Sequence, residues 1–354
     1  MTEWKTYKLS EITIMRNGKK RPQNKGAYPV YGGNGIMDYA DCFNAENTIV
    51  VGRVGAYCGN VYQCKGKCWV SDNAIAVFAN EFVDSNFLYY LMTSLDFHHH
   101  HIGGAQPLMT QDIIGGFEIS LPLLEEQRRI AGILGAIDDK IENNRRINAN
   151  LEQQAQALYK HWFVDRSTVK LGDVVKTTSG GTPSRSHMEF YVGKYGWVKS
   201  KELNSSFITK TEETITDDAI AKSAAKLLPA KSILIAMYGA TVGQYAILSQ
   251  PMTCNQAVCA LSPNENYPYT YLFMVAKNIK EELANKAIGS AQQNISQVII
   301  KDIDISSDIE KIKQFHTIVC PHFEVMEKNQ KENETLATLR DTLLPKLMNG
   351  EIKL

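Results

Sequence analysis

The sequence predicts an α+β protein: two tandem domains of mixed α/β structure, separated by two long helices that form an antiparallel coiled coil. Three observations predict it. The 354 residues repeat once at a long period, and each repeat closes on apolar residues spaced alternately four and three apart. Short β-branched stretches bounded by Gly and Pro fill the remainder. Hydrophobic residues are 44% and aromatics 9% of the chain, enough to bury real cores, which excludes disordered, collagen-like and low-complexity classes.

The repeat comes first. Tyr7-Lys8-Leu9-Ser10-Glu11-Ile12 aligns with Val169-Lys170-Leu171-Gly172-Asp173-Val174 at an offset of 162. Gly55-Ala-Tyr-Cys-Gly59 aligns with Gly239-Ala-Thr-Val-Gly243 at 184, and Asp72-Asn73-Ala74 with Asn255-Gln256-Ala257 at 183. Gly104-Ala105-Gln106, followed by Thr110-Gln111, matches Ser290-Ala291-Gln292, followed by Ser296-Gln297, at 186. Order is kept and the offset steps once, from 162 to 184, so the second copy carries about 22 extra residues between Val174 and Gly239. Two copies at this period mean duplication of one domain plus one linker, not a solenoid.

Within each copy, strands are expected at Thr48–Val51, Ala74–Phe78, Ile233–Met237 and Ala257–Leu261, and helices at Ser85–Phe97 and Tyr269–Lys286. The Gly55/Gly59 and Gly239/Gly243 pairs sit among strand-like residues and read as turns or close backbone approaches.

The long helices close the copies. The first seam runs through Leu134, Ile137, Ile141, Asn144, Asn148, Leu151, Ala155, Leu158 and Trp162. Shifted by 185, the second runs through Phe315, Val319, His322, Met326, Asn329, Asn333, Leu336, Arg340, Leu343 and Leu347. Asn144 and Asn148 in one, and Asn329 and Asn333 in the other, interrupt the seams at the same two places; Asn at such positions lowers stability but fixes register. Two separate amphipathic surface helices are the alternative, and the shared phase and shared interruption favour helices that face each other. Forty residues from Leu124 to Phe163 make a helix roughly 60 Å long. Pro122 and Glu125-Glu126 open it, Ser306-Ser307-Asp308 offer caps to the second, and Asn349-Gly350 ends that one. The expected layout is a first domain over 1–123, a helix over 124–166, a second domain over 167–307 and a helix over 308–354.

Catalytic signatures are missing. There is no phosphate-binding loop, no complete dinucleotide fingerprint after Gly33-Asn34-Gly35, no Gly-x-Ser-x-Gly elbow, no His-Glu-x-x-His and no Pro-Pro. Cys64 and Cys68 have the spacing of half a zinc site, but no matching second pair follows. The seven cysteines therefore read as buried thiols, and His98 to His101 as a solvated helix end. No run of about 18 apolar residues exists, and Met1-Thr2-Glu3-Trp4-Lys5 lacks a signal peptide's apolar stretch, so a cytoplasmic protein is expected, with no membrane partner.

Charge is balanced, 38 basic against 38 acidic residues, yet unevenly placed. From Ile12 to Met37 there are Arg16, Lys19, Lys20, Arg21 and Lys25 and no acid. The corresponding stretch of the second copy holds Lys176, Arg185, Lys194, Lys199 and Lys201 against Glu189 alone. Arg and Lys bind phosphates and the guanine edge, Asn and Gln read adenine, and hydroxyls contact phosphates. Two solvated loops would look the same singly; their recurrence at equivalent places favours double-stranded DNA. Candidate contacts are Arg16, Lys19, Lys20, Arg21, Lys25 and Arg53 in the first domain, and Thr182, Arg185, Lys199 and Lys201 in the second. At about 3.4 Å per base pair, the helix length spans at most ~17 base pairs.

The whole arrangement resembles the specificity (S) subunit of type I restriction–modification systems. The resemblance rests on the repeated domain starts, the Ser179-Gly-Gly-Thr-Pro-Ser184 turn, the paired Ala-Gln segments, and Leu121-Pro122-Leu123-Leu124-Glu125-Glu126-Gln127-Arg128-Arg129-Ile130 opening the first helix. Leu343-Leu344-Pro345-Lys346-Leu347-Met348-Asn349-Gly350-Glu351-Ile352 closes the chain in the same manner. The first domain departs from the pattern, with Asn17-Gly18-Lys19-Lys20-Arg21-Pro22 where the second has its Gly-Thr-Pro turn. The resemblance implies a non-catalytic, sequence-reading subunit with two target-recognition domains. It also implies recruitment of two methyltransferase (M) subunits and of restriction (R) subunits. S-adenosylmethionine, ATP and Mg would belong to those partners, with no cofactor in this chain. A coiled-coil adaptor without DNA readout, and a cryptic enzyme, are the rival readings.

Overall fold

The computed structural model describes residues 4–103, 107–163, 167–286 and 294–354. The Ala-Gln segments at 104–106 and 290–292 lie outside the described residues. Two compact units emerge: 1–141 with 335–354, and 142–334. Each contains part of both long helices.

The first unit runs β1 (Lys5–Lys8), α1 (Leu9–Ile12), β2 (Thr13–Asn17), β3 (Tyr28–Gly32), β4 (Gly35–Ala40), β5 (Ala45–Gly52), β6 (Val61–Val70), β7 (Ala74–Ala79), α2 (Ser85–Ser94), α3 (Gln111–Gly115), β8 (Glu118–Leu121) and the start of α4 (Leu124–Trp162). Its six-stranded sheet has the order β2-β7-β5-β6-β3-β4. Alternation along β5 and β7 sends Ile49, Val51, Ile75 and Val77 to a core shared with α1–α4, and Val50, Ala74 and Ala76 to a smaller core on the other face. Asp84 caps α2 by accepting from the amides of Asn86 and Phe87. That helix ends at Ser94, earlier than the periodicity predicts, and His98 and His99 lie in a separate, exposed 3-10 turn.

The second unit runs β9 (Thr168–Lys170), α5 (Leu171–Val174), β10 (Lys176–Ser179), β11 (Tyr195–Val198), β12 (Phe207–Ile208), β13 (Thr214–Ile215), α6 (Asp217–Ala221), β14 (Ile233–Ala236), β15 (Tyr245–Leu248), β16 (Thr253–Cys254), β17 (Val258–Ser262), α7 (Tyr269–Lys286), α8 (Gln297–Lys301), β18 (Asp304–Ser306) and α9 (Ile309–Met348). Its main sheet, β10-β17-β14-β15-β12, repeats the first unit's central strands, and α7 has the predicted bounds. β11 lies parallel to β16 as β3 lies parallel to β6, and with β13 and α6 it encloses Phe190, Trp197, Ile215, Ala219 and Ala225.

The repeat is visible bond by bond. β1 pairs with β8 and β9 with β18, both antiparallel. Gly55 and Gly239 open matching 3-10 turns with φ of 76° and 70°, and Gly59 and Gly243 follow at 87° and 79°, values that glycine alone adopts without strain. A Cβ on Gly18 would lie 1.9 Å from the Ser71 carbonyl oxygen, and one on Gly180 2.1 Å from that of Cys254. Both glycines let the loop after the first sheet strand cross close to a neighbouring backbone.

The long helices pair in each unit. In the second unit, Asn144 donates to Asn333 at 2.9 Å and Asn329 donates to Asn148 at 2.8 Å. As one partner advances by four residues the other retreats by four, so α4 and α9 run antiparallel. In the first unit Arg340 reaches Asp138 at 2.8 Å, while Ile130, Leu134 and Leu347 are buried together. Asp308 caps α9 through the amide of Lys311, and Gly350, with φ of 74°, follows its end. Pro321 and Pro345 lie inside α9, positions where a missing N–H is usually avoided. Five of the seven cysteines are buried, but Cys42 is exposed and Cys320 half-buried.

Candidate nucleic-acid interface

In the first domain the cations sit on β2 and on the loop joining it to β3. Arg16, on β2, lies 5.6 Å from the Phe78 ring. Gly18 and Lys19 fasten the loop: Gly18 N–H donates to Ala74 and Lys19 N–H to Val70, while the Trp69 indole donates to the Lys19 carbonyl at 3.2 Å. The anchored backbone leaves Lys19 and Lys20 exposed, with no ion pair among the described residues. Arg21 and Lys25 are different. Both reach Asp38, at 3.4 and 2.5 Å. Hydrogen bonds from Lys25 and from the Tyr39 amide, with the Arg21 charge beside them, hold the Asp38 carboxyl below its usual range.

Arg53 follows β5, half-buried, and its guanidinium lies 3.4 Å from the Asp72 carbonyl. Its backbone is a junction, donating to Asn73 and accepting from Met109. Met237 makes the corresponding bonds to Ala257 and Ile295 in the second domain and is buried. Only the first domain has a cation there.

In the second domain the turn after β10 is stapled from below. The Trp197 indole donates to the Gly181 carbonyl at 3.0 Å and the Tyr191 hydroxyl to that of Pro183 at 2.6 Å. Thr182 Oγ1 hydrogen-bonds Gln256. Arg185 lies over Tyr191 at 4.0 Å and near Trp197 at 5.2 Å, and its fork grips both oxygens of Glu213 at 2.8 and 3.3 Å. Lys199 bridges Glu212 and Glu213 at 3.3 Å each, and Lys201 reaches Glu212 at 2.7 Å. Hydrogen bonds from these cations lower both carboxyls: Arg185 dominates at Glu213, and Lys201 with Lys199 at Glu212.

Apart from Arg53 and Thr182, the candidate residues thus fall into two kinds. Arg16, Lys19 and Lys20 project cationic charge without a matching acid, whereas Arg21, Lys25, Arg185, Lys199 and Lys201 are held by carboxylates. Asp38, Glu212 and Glu213 are missed by a reading of the basic stretches because they lie just past them in the chain. The adjacent pair Glu212-Glu213, downstream of three cations, is a local mark of the second set, but its spacing does not say which cation each would meet. The first cluster still carries one more positive than negative charge, Arg21 and Lys25 against Asp38. In the second, Glu202, which accepts from the Lys199 and Glu212 amides, joins Glu212 and Glu213, so three carboxylates balance Arg185, Lys199 and Lys201.

Asn144, Asn148, Asn329 and Asn333 form a second constellation. Asn144, fully buried, also donates to Glu332 at 2.8 Å, and Asn148 donates to the Met326 carbonyl at 3.0 Å. These amides meet across the pair of helices instead of pointing to water.

Two like domains, each holding a cation-bearing loop on an anchored backbone, and two long helices that pair within each unit, define a tandem recognition protein. The family described as type I restriction modification DNA specificity domain matches residues 1–153 and 164–307, and the chain belongs to it. It is a specificity subunit of a type I restriction–modification system, with two recognition domains. The HindI specificity subunit of Haemophilus influenzae is 27% identical over 331 residues, spanning 70% of this chain and 72% of that relative. The MjaIX specificity subunit of Methanocaldococcus jannaschii is 28% identical over 302 residues, spanning 77% and 70%. The crystal structure of a type I S subunit from M. genitalium has the same fold, with a TM-score of 0.67 over 98% of this chain and 96% of that one, at 18% identity. Among the described residues, no helix is long and apolar enough to cross a membrane.

Proposed function

We propose that this chain reads a split, asymmetric target on double-stranded DNA, one half-site per domain. We assign 1–123 and 167–307 as the recognition domains and 124–166 and 308–354 as the helices that set the spacer. The observation that carries the reading is the recurrence of a cation-bearing, backbone-anchored loop at equivalent places in two domains whose loop sequences differ. Equivalent places suit one duplex; different side chains suit two different half-sites.

The carboxylates fit this reading. A carboxylate gripped by an Arg fork stands where a phosphate's oxygens would go. Asp38, Glu212 and Glu213 would keep Arg21, Lys25, Arg185, Lys199 and Lys201 oriented until phosphates replace them. Arg16, Lys19, Lys20, Arg53 and Thr182 complete the proposed DNA-facing set. Asn144, Asn148, Asn329 and Asn333 would fix the register of α4 against α9, and through it the spacer.

The chain would carry no chemistry or cofactor of its own. Two methyltransferase subunits would bring S-adenosylmethionine, and restriction subunits ATP and Mg. Binding of the assembled complex to a duplex, titrated with salt, tests the faces. Arg21→Ala and Arg185→Ala should weaken binding, and removing one phosphate-binding cation should reduce the salt slope by about one. If both variants bind with unchanged affinity and unchanged slope, the faces are misplaced.

A further inference from the structure

In both domains the cation-bearing loop is tied to one tight turn. In the first domain this turn, at 71–73, joins β6 to β7. Gly18 N–H donates to Ala74 and Lys19 N–H to Val70, both at 3.0 Å, and Arg53 N–H donates to Asn73 at 2.9 Å. In the second domain the turn at 255–257 joins β16 to β17, and Gly180, Gly181 and Met237 donate to Val258, Cys254 and Ala257 at 3.2, 2.9 and 2.8 Å. β3 and β11 hold the turns alike: Ser71 N–H donates to Tyr31 and Asn255 N–H to Val198, both at 2.9 Å. These bonds set a correspondence one residue away from the alignment of the bare sequence. Asn73 matches the buried Ala257, and Asp72 stands where Gln256 stands.

Asp72 and Gln256 are both exposed. Asp72 lies between segments that carry Lys19 and Arg53, yet its carboxylate makes no ion pair among the described residues; the Arg53 guanidinium lies 3.4 Å from its carbonyl instead. Asp38, Glu212 and Glu213, by contrast, are all held by cations. An unpaired carboxylate on a phosphate-binding face repels the DNA backbone unless it meets hydrogen-bond donors there. The exocyclic amines at the major-groove edge of cytosine and adenine are such donors. Gln256 is already oriented, because the Thr182 hydroxyl donates to its Oε1 and leaves the two N–H donors and a second lone pair for a ligand.

We propose that Asp72 and Gln256 are base-reading side chains, Asp72 accepting from the N4 amine of a cytosine in one half-site and Gln256 pairing with N6 and N7 of an adenine in the other. Adenine sets an acceptor, N7, beside its amine, and that acceptor repels a carboxylate, so Asp72 selects cytosine. An amide offers one acceptor and one donor, which match N6 and N7 of adenine. The backbone bonds to the flanking loops hold each turn rigid, as discrimination between base edges requires. The proposal rests on the DNA-reading function and deepens it by assigning one base to each domain.

The map of methylated adenines made by the complex with a methyltransferase subunit tests it. Asp72→Asn should exchange cytosine for adenine at one position of one half-site, and Gln256→Glu adenine for cytosine at one position of the other. Each preference should change by about tenfold or more. Asp72→Ala and Gln256→Ala should relax the same positions and leave all others as in the wild type. The unaltered half-site reports in the same map that a variant is folded. Anisotropy titrations on duplexes carrying each of the four bases at that position read the preference where a variant no longer supports methylation. Wild-type preferences in all four variants would overturn the reader assignment and leave the split target standing. Binding by Gln256→Ala that weakens equally on all four duplexes would assign the amide to phosphates and overturn base reading. A wild-type complex that yields no split motif would overturn the DNA-reading function, and these readers with it.

Discussion

Replacing Asn148 by Ala removes one side of a polar pair buried between helices. Asn148 accepts from Asn329 at 2.8 Å and donates to the Met326 carbonyl at 3.0 Å, and Asn329 is 8% exposed. Each lost bond costs about 0.5–1.5 kcal/mol net, and the Asn329 amide, left without its acceptor, adds a desolvation cost of about 1–3 kcal/mol. Allowing for overlap between those terms, Asn148→Ala should destabilise the chain by about 2–4 kcal/mol. Replacing both residues by Leu removes both demands together and should be near neutral or stabilising. The double variant should therefore be more stable than the sum of Asn148→Leu and Asn329→Leu, the mark of direct coupling. Urea unfolding followed by far-UV circular dichroism reads these variants against the wild type. Single variants that each cost less than about 0.5 kcal/mol would refute the claim that these amides are committed to each other. The stable double variant should also tolerate targets whose spacer differs by a base pair, because the polar constraint on register is gone.

Gly180→Ala puts a methyl group 2.1 Å from a carbonyl oxygen, so backbone must move; limited proteolysis should show the second domain opening sooner while the first keeps its resistance. Equal resistance of both domains would contradict the close approach. Asp38→Asn frees Arg21 and Lys25 together, so the complex should bind any duplex more tightly, with a salt slope steeper by about one; weaker binding in anisotropy titrations would count against the phosphate-exchange reading. Glu327 supplies a pH signature. Burial opposes its ionisation, but hydrogen bonds from Lys231 and Lys331 outweigh that and hold its pKa below the usual value, about 4.3. A lowered folded pKa gives stability that is complete above the unfolded value and lost as pH falls through the folded one. The stability advantage of wild type over Glu327→Gln should therefore shrink below about pH 4.3 in thermal melts, and parallel curves would refute it.

The architecture was legible because its signals are local or periodic. Leu9 and Leu171, the glycine pairs at 55/59 and 239/243, and the asparagines of the seams each announce themselves within a few residues. Tyr269–Lys286 was readable because Leu272, Ala276, Ile279 and Leu283 recur at helical spacing. What escaped depends on partners distant in sequence. Asp38 and Glu213 decide the electrostatics of Arg21 and Arg185 from 17 and 28 residues away, and no spacing rule joins them. β12 is two residues long, too short for any pattern, and exists because β15 offers an edge. Pro321 and Pro345 would have argued for breaks in α9, yet the helix runs through both. Packing against α4 within each unit outweighs the bonds they remove.

Co-expression with a methyltransferase subunit, followed by a genome-wide map of methylated adenines, tests the central claim most directly. Two different short half-sites separated by a fixed spacer, absent when this chain is left out, are the predicted result. A continuous motif, a symmetric one, or no new methylation from a complex that assembles normally would contradict it.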